Sequence, residues 1–96
     1  MLIIDKLKLG GLTFKVIPID PGLYGNDAEW SACSLMELKI WVNESCTKEQ
    51  QVTGILHEVI ELVNDMNDLG LTHIQISVLE NFLYQAYKDN FLEKDK

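Results

Sequence analysis

The chain has 96 residues, of which 47% are hydrophobic and 24% charged, a composition typical of one small globular domain rather than a disordered segment. Eight lysine and arginine residues against fifteen aspartate and glutamate residues give a formal net charge of −7. This charge disfavours phosphate backbones and anionic lipids, so we expect neither nucleic acid nor a membrane as a partner. The sequence has no apolar stretch of about 20 residues and no secretory signal pattern, which predicts a cytoplasmic location.

The two cysteines, Cys33 and Cys46, are expected to be reduced thiols. In a chain without an export signal, two cysteines are more often free than bridged. Neither has further cysteine or histidine partners at the spacing of a zinc finger. We therefore expect no disulfide and no finger-type zinc site at these positions.

Alternating apolar and polar residues predict β-strands between about residues 3 and 42. The pattern is clearest in 7–9, 12–16 and Met36–Val42, which predicts three strands. Gly10 and Gly11 lie between the first two runs and supply the positive φ angles of a tight hairpin, so these strands should pair antiparallel. The turn-forming residues between Asp20 and Ser31 predict a long surface loop.

Helical periodicity replaces this alternation in the second half of the chain. It predicts helices over about 48–68 and 73–90. A threonine followed three residues later by a glutamine, as at Thr47 and again at Thr72, is the capping-box pattern of a helix start. We therefore predict an α+β fold for residues 1–96, in which a three-stranded antiparallel sheet is followed by an antiparallel helix pair.

The first predicted helix contains a His-Glu-x-x-Glu motif, in which His57 and Glu61 are four residues apart. Residues at this spacing lie on the same side of a helix, so His57 and Glu61 can bind one cation together. Glu58 projects about 100° further round the helix and can stand beside the metal without binding it. The spacing is that of the His-Glu-x-x-His zinc helix, with a carboxylate in place of the second imidazole, and zinc accepts either ligand.

A third ligand must come from another part of the chain, and His73 is the only other histidine. If the first helix continued to about residue 69, His73 would lie roughly 10 Å beyond Glu61, and Glu80 would be level with Glu61 instead. We favour His73 as the ligand, because residues 64–68 form a poor helix interior that is expected to break early. Glu80 is then expected to orient one of the histidines, and it is also the alternative third ligand.

The same residues have an ordinary interpretation as surface groups. His57 and Glu61 can form an i, i+4 pair worth about 0.3–0.5 kcal/mol, while Glu58 and His73 are solvated. We favour the metal site, because both histidines of a histidine-poor chain fall in one helix–loop–helix segment with metallopeptidase spacing.

Three segments carry a resemblance to a known group of proteins: Ile-Leu-His-Glu-Val-Ile-Glu at 55–61, Asp-Leu-Gly-Leu-Thr-His at 68–73 and Leu-Glu-Asn-Phe-Leu-Tyr-Gln-Ala-Tyr-Lys-Asp-Asn at 79–90. Over about residues 53–91 the sequence resembles short phage and prophage proteins described as minimal zinc metallopeptidases. It is more distantly similar to ImmA/IrrE-type peptidases, whose zinc helix ordinarily has histidine at the position of Glu61.

The resemblance implies zinc bound by His57, Glu61 and His73, and Glu58 as the general base that hydrolyses a peptide bond. It further implies a phage protein that acts on a peptide or protein in the cytoplasm of a bacterial host. The competing hypothesis is a non-catalytic phage accessory or interaction protein that retains the helix pair with a structural metal or none.

A peptide substrate would need a surface on which to bind. The strand predicted at Met36–Val42 could offer an open edge to an extended peptide. Trp30 and Trp41 are candidates for the walls of a substrate subsite, although packing is the more common role of tryptophan.

Overall fold

A computed structural model describes residues 2–19 and 31–92. The elements in chain order are β1 (Lys6–Leu9), β2 (Leu12–Pro18), β3 (Ser31–Ser34), β4 (Lys39–Val42), α1 (Lys48–Asn67), α2 (His73–Tyr87) and a π-helical segment (Lys88–Leu92). The predicted α+β class is confirmed. The loop predicted between Asp20 and Ser31 lies outside the described residues, except for its last residue, Ser31, which begins β3. Trp30 also lies outside the described residues.

The sheet has four strands in the order β1-β2-β4-β3, rather than the three antiparallel strands that the sequence predicted. β1 and β2 form the predicted antiparallel hairpin, with Gly10 and Gly11 at φ angles of 57° and 80°. β4, however, pairs parallel to β2, with Val16 opposite Ile40, and antiparallel to β3. The sheet is therefore mixed.

The additional strand arises because the segment predicted as a strand from Met36 contains a turn at its start. Met36 is 95% exposed, and the next residue but one, Leu38, has a φ angle of 54°. The peptide nitrogen of Glu37 donates to Oγ of Ser34, which stabilises this turn between β3 and β4. As a result β4 begins only at Lys39 and lies inside the sheet, and β3 forms the edge instead.

Both helices begin at the predicted capping boxes. Oγ1 of Thr47 accepts from the peptide nitrogen of Gln50, whose side chain accepts from the peptide nitrogen of Thr47. The same reciprocal pair of hydrogen bonds forms at Thr72. These caps satisfy peptide groups that a helix start would otherwise leave without a partner.

The hydrophobic core lies between the sheet and α1. Its buried members come from alternate positions of the two central strands and from one face of α1: Phe14, Val16, Ile40, Val42, Ile55 and Leu62. Gln51 and Glu58 lie on this same buried face of α1, each only 2–3% exposed. The face of α1 that meets the sheet therefore includes a carboxyl group that hydrophobic periodicity alone would assign to the surface.

α2 packs antiparallel on α1 and lies on the outside of the molecule. The pairing of Glu49 with Lys88 and of His57 with Glu80 shows the opposite directions of the two helices. Only Ile76 of α2 is buried, whereas six of its large apolar side chains are at least 42% exposed: Ile74, Val78, Leu79, Phe82, Leu83 and Tyr87. Among the helices of the described part of the chain, none is long and apolar enough to span a membrane.

Candidate metal centre

A pocket of about 600 Å³ opens where α1, the first half of α2 and the edge strand β3 meet. Its lining contains all five residues that the sequence motif and its alternatives point to: His57, Glu58, Glu61, His73 and Glu80. The other four lining residues come from β3 and α1: Ser31, Ala32, Cys33 and Gly54. Among the described residues, the lining carries three carboxyl groups and no lysine or arginine. It is therefore suited to a cation.

His57, Glu61 and His73 come together at this pocket. One ligand atom from each of the three side chains lies within 4.8 Å of the other two. Nε2 of His57 is 3.7 Å from Oε2 of Glu61, and the ring centroids of His57 and His73 are 5.3 Å apart. Two imidazoles and a carboxylate form a donor set that suits zinc.

His73 reaches this position by a route that the sequence did not predict. The first helix does not break early, because α1 continues to Asn67 and ends at Asp68 in the left-handed conformation. Instead the following loop turns back along the helix, where the side chain of Asn64 accepts from the peptide nitrogen of Leu71. α2 therefore starts beside the middle of α1, which places His73 near His57.

Glu80 faces His57 across the helix pair, and not Glu61, with which it would be level as the alternative third ligand. Its Oε1 is 2.7 Å from Nδ1 of His57. An ionised carboxylate only accepts hydrogen bonds, so this contact places a proton on Nδ1 of His57, and in the neutral imidazole the lone pair is then on Nε2. Within the described residues, Glu80 belongs to neither group of side chains whose atoms are close enough to share a metal.

Glu58 is buried beside this group, on the side of α1 that faces β3. Oγ of Ser31 lies 2.6 Å from Oε2 of Glu58 and 3.0 Å from the carbonyl oxygen of Gly54. Burial raises the pKa of the Glu58 carboxyl from 4.5 to about 7, the hydrogen bond with Ser31 lowers it, and Glu61 adds to the increase. A carboxyl group that titrates near neutral pH can both accept and release a proton.

Cys33 is a potential ligand that sequence spacing did not indicate. Its Sγ forms a second group with carboxylate oxygens of Glu58 and Glu61, again within 4.8 Å of one another. Burial and the neighbouring carboxyl of Glu58 raise the pKa of the thiol well above its ordinary value. Spacing along the sequence could not reveal this group, because Cys33 lies on β3, 25 positions before Glu58. Both cysteines are free thiols in the structure.

Trp41 is half-buried within the sheet, where it pairs with Ile17 of β2 and Ala32 of β3. It packs as a strand residue and is not part of the pocket lining.

Comparisons of the chain with models of protein families, with curated proteins and with solved structures find no match. The function of the chain is therefore inferred from the geometry of the pocket.

Proposed function

We propose that the protein is a zinc-dependent peptidase whose metal is held by His57, Glu61 and His73 and whose general base is Glu58. One observation carries the proposal: the ligand atoms of the three side chains converge within 4.8 Å beside a buried carboxyl group. This arrangement is the minimum that metal-assisted hydrolysis requires, since three protein ligands leave a further position for water.

The residues around the candidate ligands fit a metal ion. Glu80 accepts from Nδ1 of His57 at 2.7 Å, and such a contact fixes the tautomer in which Nε2 binds a metal. Glu61 is half-buried, so that its charge is not fully screened by water. Zinc, when bound, polarises a carbonyl group and lowers the pKa of water.

Glu58 performs the proton transfers in this proposal. Its carboxylate accepts a proton from the attacking water and delivers it to the nitrogen of the departing amine. Ser31 holds the carboxyl group in place through the 2.6 Å hydrogen bond. A pKa of about 7 suits both transfers near neutral pH, because Glu58 is then present in both its ionised form, which accepts a proton, and its protonated form, which donates one.

The edge strand supports a peptide as the substrate class. Within the described residues, β3 lies at the end of the sheet and three of its residues, Ser31, Ala32 and Cys33, line the pocket. An extended peptide can add to such an edge by main-chain hydrogen bonds. This surface replaces the interior strand β4, which the sequence pattern had favoured. The sequence resemblance adds to this proposal a phage-type peptidase that acts in the bacterial cytoplasm.

Hydrolysis of a quenched fluorescent peptide library by the zinc-loaded protein tests the proposal. We expect cleavage that chelation removes and that Glu58→Gln reduces by at least about 100-fold, as loss of a general base does. Glu49→Gln is the matched control, because Glu49 lies on the same helix but contacts Lys88 at the surface. Equal cleavage by Glu58→Gln, or no cleavage by wild-type protein with one bound zinc, contradicts a peptidase.

A second candidate function is a non-catalytic accessory protein that interacts through α2. It is favoured by the apolar face of this helix, on which Ile74 is 75% exposed and Phe82 67% exposed. Extended apolar surface is seldom left open to water unless it has an interaction role. The absence of cleavage by metal-loaded protein would favour this candidate over the peptidase.

A further inference from the structure

Glu61 belongs to both groups of potential ligands in the pocket. With His57 and His73 it forms the group of the proposed zinc site, and with Cys33 and Glu58 it forms a second group. Each group meets the same 4.8 Å limit as it stands, so neither requires a side chain to move far. The five residues of the two groups do not form one such group, which indicates two adjacent positions rather than a single five-ligand site.

We propose that the pocket binds a second divalent cation through Cys33, Glu58 and Glu61, and that this second ion inhibits hydrolysis. The inhibition rests on the proposed function, because it removes Glu58 from its role as general base. Glu61 would bridge the two ions, as carboxylates do in two-metal sites whose ions lie about 3.5–4 Å apart.

The charges of the pocket favour a second cation. Once metal binding has ionised them, Glu58, Glu61, Glu80 and Cys33 carry four negative charges, and no lysine or arginine of the described residues lines the pocket. One divalent ion held by His57, Glu61 and His73 does not require Glu58 or Cys33 to lose a proton. A second ion displaces both protons, and its two positive charges match the two negative charges that this creates.

The donor atoms also define which ions the second position accepts. A thiolate with two carboxylates suits zinc, cobalt and other ions that bind sulfur, whereas magnesium and calcium prefer oxygen alone. Binding breaks the S–H bond of Cys33 and forms a sulfur–metal bond, and the proton leaves to solvent. The site formed by His57, Glu61 and His73 is expected to bind its ion more tightly than the second site. Its two imidazole ligands need not displace a proton from a thiol in order to bind a metal.

Titration of the full-length protein with Co²⁺ tests this inference without measuring activity. Thiolate bound to cobalt gives a charge-transfer absorption that imidazole and carboxylate ligands do not give. We expect two equivalents of Co²⁺ per chain, with this absorption appearing only with the second. Cys33→Ser should retain one equivalent and lose the absorption entirely. Cys46→Ser, which changes the other thiol of the chain, should behave as wild type.

Glu58→Gln gives an independent check, because it retains the thiol and removes a carboxylate ligand. This variant should also lose the second equivalent of Co²⁺. Thiolate absorption with the first equivalent would overturn the inference, because Cys33 would then belong to the first site. One equivalent without absorption in the wild-type protein would overturn the second site and leave the proposed zinc site intact. Absence of any bound Co²⁺ would contradict both.

Discussion

The hydroxyl group of Ser31 lies 2.6 Å from Oε2 of Glu58 and so links the edge strand to the candidate base. The same hydroxyl is 3.0 Å from the carbonyl oxygen of Gly54, one helical turn earlier on α1. Both Ser31 and Glu58 are more than nine-tenths buried. The position of the Glu58 carboxyl therefore depends on how β3 packs on α1.

Replacing Ser31 by alanine should destabilise the protein by about 1–3 kcal/mol, because a buried carboxyl group loses a hydrogen-bond partner. The free energy of unfolding in urea measures this effect. Ser34→Ala is the matched control on the same strand, since Oγ of Ser34 accepts from the peptide nitrogen of Glu37 in an exposed turn and not from a buried group. Equal losses in the two variants would show that the Ser31–Glu58 contact has no special weight.

Removing Glu80 should weaken metal binding through His57. Glu80→Ala leaves Nδ1 of His57 without its acceptor, and loss of such a contact typically lowers metal affinity by about 10–100-fold. Glu80→Gln should recover part of the affinity, because its amide oxygen can still accept from Nδ1. Competition with a chromogenic chelator measures both variants. Unchanged affinity in Glu80→Ala would exclude an orienting role.

Stability of the metal-free protein should fall as the pH rises from about 4.5 to about 7. The pKa of Glu58 is raised in the folded state, so the folded protein holds a proton that the unfolded chain has released across this interval. The contribution has a slope of at most about 1.4 kcal/mol per pH unit and is constant above the folded-state pKa.

Glu58→Gln isolates this contribution, because glutamine does not titrate. The stability of the variant relative to wild type should therefore rise across the same interval of pH, as measured by urea unfolding in the presence of a chelator. A difference that does not change with pH would show that the Glu58 carboxyl titrates normally in the folded protein.

The parts of the molecule that depend on neighbours in the sequence could be predicted from it. The hairpin at Gly10 follows from a positive φ requirement, and the helix starts at Thr47 and Thr72 follow from capping within four residues. The convergence of His57 with Glu61 follows in the same way, because one helical turn separates them. These features need no information about the remainder of the chain.

The parts that depend on distant packing could not be predicted. β3 consists of only four residues, Ser31–Ser34, and has no clear alternation of apolar and polar side chains. The parallel pairing of β4 with β2 depends on the arrangement of the whole sheet. The approach of His73 depends on a loop held by Asn64, which local propensity does not reveal. Cys33 reaches Glu58 only because β3 packs on α1.

The most direct test of the central claim is the zinc content of purified protein supplied with one equivalent of the metal. We expect wild-type protein to retain one zinc per chain, and His57→Ala and His73→Ala each to lose it under the same dialysis. Glu80→Ala should bind more weakly yet still load when zinc is in excess. The third ligand would be Glu80 if His73→Ala retained zinc and Glu80→Ala lost it even at excess metal. A wild-type protein that binds no zinc would contradict the metal site altogether.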